Sequence, residues 1–112
     1  MSKAWRYMTK AAKTKMVKNW KLADETGEGV DTPVIKLFCP WGAATWYFSE
    51  YDPETRRFFG LCDLGMGFPE MGYASRDELE ALRGPFGLRI ERDMYWTPRE
   101  TFSELLGRRK AA

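Results

Sequence analysis

Histidine is missing from this 112-residue chain, and cysteine occurs only twice, at Cys39 and Cys62. Without histidine the usual Ser-His-Asp and Cys-His arrangements are excluded, along with most zinc and haem sites. Two separated cysteines fall short of a metal cluster or a disulfide framework and are expected as buried small hydrophobes. No apolar run approaches the ~20 residues that cross a bilayer. The N-terminus also lacks the apolar core of about 7–15 residues found in a secretory signal, because Lys or Arg interrupts it every few positions. A cytoplasmic protein without a membrane span is therefore expected.

What remains is the composition of a folded domain, 44% hydrophobic and 30% charged, in a chain long enough for one core. The net charge of +2 hides a polarity. Lys3, Arg6, Lys10, Lys13, Lys15, Lys18 and Lys21 meet no acid in residues 1–22, whereas the rest of the chain holds 11 bases against 16 acids. Trp5, Met8, Ala12, Met16 and Trp20 recur at spacings of three or four, which predicts an amphipathic helix over 3–21 ending near Ala23. The acid- and glycine-rich stretch from Asp24 to Pro33 reads as a linker. The expected division is a basic helix and linker over 1–32 and one domain over 33–112.

Val34–Phe38, Thr45–Tyr51 and Arg57–Cys62 are rich in β-branched and aromatic residues, and Asp52-Pro53-Glu54-Thr55 has turn chemistry between the second and third. They predict three strands, two joined as a hairpin. A glycine-spaced loop follows from Asp63 to Glu70, then a brief strand at Met71–Ala74. Ser75-Arg76-Asp77-Glu78 is a capping box that opens a short helix with Leu79 and Leu82 on its buried side, stopped by Gly84-Pro85. Arg89–Trp96 alternates enough to predict a strand. Thr97-Pro98-Arg99-Glu100 is a second capping box, opening a helix with Phe102, Leu105 and Leu106 that ends at Gly107. The fold class is α+β: a small antiparallel or mixed sheet with two short capped helices, preceded by the basic amphipathic helix.

The segments Pro33–Phe38, Ala44-Thr45-Trp46, Phe59-Gly-Leu-Cys-Asp-Leu-Gly-Met-Gly-Phe-Pro-Glu70, Gly72-Tyr73, Leu79–Gly84 and Ile90–Asp93 together resemble the twenty-nine-fifty-eight domain of unknown function, over about residues 33–98. The resemblance implies a small bacterial protein of the kind carried on plasmids, phages and integrative elements. It brings no established reaction and no catalytic residue. It does imply that an anti-defence role, such as inhibition of a host restriction or CRISPR complex by binding, suits the setting.

Asp63, Glu70 and Asp93 are the acids that acid–base or metal chemistry would draw on, yet no nucleophile or ligand cluster accompanies them. Asp63 is better read as capping a turn in which Gly65 and Gly67 take positive φ. Gly65-Met66-Gly67 lacks the Lys-Ser/Thr of a phosphate cradle. No catalytic residue, cofactor or metal is expected. Seventeen aromatics exceed what alternating strands of a small core can bury, so some should be exposed. Exposed Trp and Tyr near Arg suit protein interfaces or stacking on single-stranded nucleic acid. The expected partner-binding residues are Lys3, Arg6, Lys10, Lys13 and Lys21 on the basic helix and Trp41 and Trp96 on the body. The expected partner is a host protein or ribonucleoprotein complex, the alternative being nucleic acid held by the basic helix.

Overall fold

Thr9 begins the first helix: its hydroxyl accepts the Ala12 N–H at 3.1 Å, and the helix α1 runs over Lys10–Thr26. Gly27 closes it in the left-handed region (φ 77°), donating its N–H to the Ala23 carbonyl. The computed structural model describes residues 7–111, with side chains through Gly107. α1 therefore starts later and ends later than periodicity predicts. Tyr7 and Met8 precede it in non-helical backbone, both fully buried.

Four strands follow in a meander, β1 (Ile35–Phe38), β2 (Thr45–Asp52), β3 (Arg57–Asp63) and β4 (Glu70–Ser75), each antiparallel to the one before. The short helix α2 (Arg76–Ala81), the strand β5 (Glu91–Arg92) and the helix α3 (Phe102–Ala111) complete the chain. β5 returns beside β1, giving a fully antiparallel sheet in the order β4-β3-β2-β1-β5. The β2–β3 turn forms because Asp52 accepts the Glu54 N–H on Oδ1 and the Thr55 hydroxyl on Oδ2. Those bonds hold its carboxyl below the usual range, the Thr55 hydroxyl first.

Side-chain alternation along β2 divides the core in two. Trp46 and Phe48 join a cluster with Ile35, Leu37, Phe58 and Leu79, to which Tyr7, Met8 and Met16 also belong. Tyr47 joins Leu61, Phe102 and Leu105 in a second cluster, the one α3 covers. Register slips by one between Phe48 and Glu50, so Glu50 opposes Phe59 and Tyr51 opposes Phe58. This bulge at Ser49 returns Tyr51 to the side of Phe48 despite their odd separation. Phe48 and Phe58 stack with centroids 4.6 Å apart, a geometry that adds about 1 kcal/mol to their burial.

Three expectations need correcting. The strand over Arg89–Trp96 shrinks to Glu91–Arg92, because Asp93 Oδ1 accepts the N–H groups of Tyr95 and Trp96 and turns the chain. The last helix opens not at Thr97 but at Thr101, whose hydroxyl accepts the Glu104 N–H while Glu104 accepts the Thr101 N–H, and it runs on through Gly107. Ser75 does cap α2, accepting the Glu78 N–H, but Leu82 lies past its end and is 44% exposed.

Candidate functional site: a lysine stripe and an acidic aromatic cleft on one helix

At 3.6 residues per turn, Lys10, Val17, Lys18 and Lys21 fall on the side of α1 opposite Ala12, Met16, Asn19 and Ala23. The second set faces the body: Met16 is fully buried, and the Asn19 side-chain amide donates to the Ser49 carbonyl at 3.0 Å. The first set lines a shallow groove with Lys13 and Leu22. Lys10 and Lys21 are exposed and Lys13 is half-buried. Among the described residues no acid forms an ion pair with Lys10, Lys18 or Lys21. Lys3 and Arg6 lie outside the described residues.

The two tryptophans singled out in the sequence sit apart. Trp41 is half-buried, packed on the first cluster with its indole against Gly84. Trp96 is half-buried on the second cluster, its ring 5.9 Å from Tyr47. The aromatics most open to solvent are Phe86, Tyr95 and Phe68, in turns and loops.

Two of the three acids are occupied by local structure. Asp63 is buried and accepts the Gly65 N–H at 3.0 Å, and Gly65 and Gly67 take φ of 79° and 84°. Asp93, besides holding its turn, pairs with Lys36 at 3.6 Å. Glu70 is exposed at the start of β4. Among the described residues no three His, Cys, Asp or Glu side chains gather as a metal would require. Both cysteines are free and half-buried, and burial pushes the Cys62 thiol up.

Sequence reasoning missed Glu50. It is 4% exposed, yet among the described residues none donates a hydrogen bond to its carboxyl or forms an ion pair with it. Burial alone pushes that carboxyl above the ordinary 4.5. It lines a cleft of about 320 Å³ with Trp20, Asp24, Gly29, Phe59 and Tyr73. The register that sets Glu50 opposite Phe59 also sets Phe59 opposite Tyr73, so one row crosses β2, β3 and β4. α1 brings Trp20 edge-on to Tyr73 at 6.2 Å. The available signal was a charge inside the aromatic strand Trp46–Tyr51, which strand patterning alone assigns to a wet face.

An antiparallel five-stranded sheet with short helices, preceded by a basic helix, defines a small α+β protein. The chain matches the family model described as "Protein of unknown function (DUF2958)" over residues 7–112, essentially its whole length, and belongs to that family. The match reaches well beyond residues 33–98 and takes in α1. No curated protein and no solved structure matches the chain. Among the described residues no helix is long and apolar enough to cross a membrane.

Proposed function

We propose that this protein acts by binding rather than catalysis, setting the lysine side of α1 against an anionic face of a host protein or ribonucleoprotein complex and occluding it. The observation that carries this reading is the disposition of Lys10, Lys18 and Lys21: aligned away from the core and paired with no described acid. A stripe anchored at its back by Met16 and Asn19 meets a partner with little backbone entropy left to lose. The mobile-element setting implied by the family resemblance makes a restriction or CRISPR complex the partner class that fits an inhibitor of this kind.

A second reading is contact with nucleic-acid phosphates. The stripe from Lys10 to Lys21 spans about 16 Å at 1.5 Å per residue, enough for several phosphates. Trp20 leans away from the stripe and packs edge-on to Tyr73, so the stripe has no ring of its own to read bases. Capture of partners from host lysate, with and without nuclease, separates the two. A partner retained after nuclease and lost in the Lys10→Glu, Lys18→Glu, Lys21→Glu triple variant supports occlusion of a protein face. A partner lost on nuclease treatment, with affinity falling steeply as salt rises, supports the phosphate reading. Undiminished capture by the triple variant removes both.

A further inference from the structure

We propose that the cleft around Glu50, between α1 and the sheet, binds an organic ammonium group. Glu50 is 4% exposed as a residue and no described group donates to its carboxyl, so its charge is costly to keep with only the cleft's water to solvate it. Structure alone does not call for it: the neighbouring strand positions carry Tyr, Phe and Ser, and a glutamine would fill the same space.

The walls narrow the ligand. Trp20, Phe59 and Tyr73 offer ring surface, and rings beside carboxylates favour a cation with an apolar body over an anion or a neutral polar group. Asp24 adds a second acid at the same opening. Arg57 already lies over the Tyr73 ring at 4.7 Å, so this ring takes a cation on its face. With one buried carboxylate and no metal-grade cluster among the described residues, the site is poor in ligands for a divalent ion. A neutral ligand would bury Glu50 further and leave it uncompensated. An ammonium head meets the carboxylate while its methyl or methylene groups pack on the rings. A cleft of about 320 Å³ holds such a head and a short chain. Gly29 keeps the carboxylate clear: a Cβ there would stand 2.6 Å from Glu50 Oε2.

This chemistry has two sources, a free small ammonium compound or a lysine side chain presented by a partner. The test titrates the full chain with choline, with its uncharged isostere 3,3-dimethylbutanol, and with Nα-acetyl-lysine amide, following the Trp20 indole N–H signal by NMR, assigned through Trp20→Phe. Saturable displacement of that signal by choline or the lysine amide, but not by the isostere, is the expected result. The stronger of the two cations identifies the source. Glu50→Gln should weaken binding tenfold or more. Gly29→Ala keeps the charge but crowds Oε2, and should also weaken binding, so the proposal stays testable if Glu50→Gln folds poorly. The lysine triple variant should bind the cations at least as tightly as the parent, since it removes positive charge near the cleft, and this separates the site from the stripe. Equal response to choline and the isostere, no saturation by either cation at tens of millimolar, or unchanged binding by both Glu50→Gln and Gly29→Ala would overturn it.

Discussion

Gly84 lies directly against the indole of Trp41: a Cβ on the glycine would stand 2.3 Å from Cδ2 and 2.4 Å from Cε3. Its φ of −104° suits any residue, so glycine serves here for space rather than backbone freedom. Gly84→Ala is expected to lower stability by about 1–3 kcal/mol through overpacking, seen as a fall in Tm. Gly72 supplies the control, since a Cβ there meets nothing within 4 Å. Gly72→Ala should leave Tm unchanged or raise it, and equal Tm values for the two variants would show that the indole moves aside freely.

Gly60 is a harsher case. A Cβ would stand 2.0 Å from the Tyr47 carbonyl oxygen, which is ladder backbone and has nowhere to go. Gly60→Ala should cost more than Gly84→Ala, on the order of 3 kcal/mol or above, because β2 and β3 must part locally. Calorimetry would show a lower or lost cooperative transition, and a melt like the parent's would refute the account.

The cap of α3 separates two candidate starts by a single measurement. Thr101→Ala removes the hydroxyl that accepts the Glu104 N–H and should cost about 1 kcal/mol in urea denaturation. Thr97→Ala, at an exposed position outside the helix, should stay within about 0.5 kcal/mol. The reverse order would place the helix start at Thr97 after all.

β2 carries two acids whose pH effects oppose each other. Glu50 is raised above 4.5 by burial, so the folded state holds its proton more tightly than the unfolded chain, and stability falls as pH rises from 4.5 through the folded value. Glu50→Gln should therefore melt above the parent at pH 7, the gap closing below pH 4.5. Asp52 is held below 3.8, chiefly by the Thr55 hydroxyl, and adds stability above 3.8 that is lost as pH falls through the folded value. Asp52→Asn should melt below the parent at pH 7 and approach it in acid. Melts across pH 2.5–8 test both signs.

Local chemistry made most of the fold legible. Asp52-Pro53-Glu54-Thr55 carries its turn in its own side chains, and β2 and β3 fall within a residue of their expected limits. Asp63, Gly65 and Gly67 behave as a turn of that composition must. Failures came where two local signals competed. Thr9 falls inside the stretch that periodicity predicts as helix and is instead the N-cap, while Thr97 and Thr101 both precede a Glu at the right spacing and only Thr101 is followed by the apolar face that α3 buries. The lysine stripe was readable because helical periodicity is local. The Glu50 cleft was not, because its walls come from α1, β2, β3 and β4, and because the Ser49 bulge that shifts Glu50 to face Phe59 leaves no mark in composition.

The order β4-β3-β2-β1-β5 also has a temporal meaning. Neighbours in the meander close short loops, whereas Leu37 must find Arg92 about 55 residues further on. Loop-closure entropy makes the near pairings form first and the distant one last. The β2–β3 hairpin, with its self-contained turn and the Phe48–Phe58 stack, is the natural nucleus. The return of β5 to β1 then works as a latch, drawn shut once the meander stands, so opening under mild denaturant should begin at β1–β5 and reach β2–β3 last.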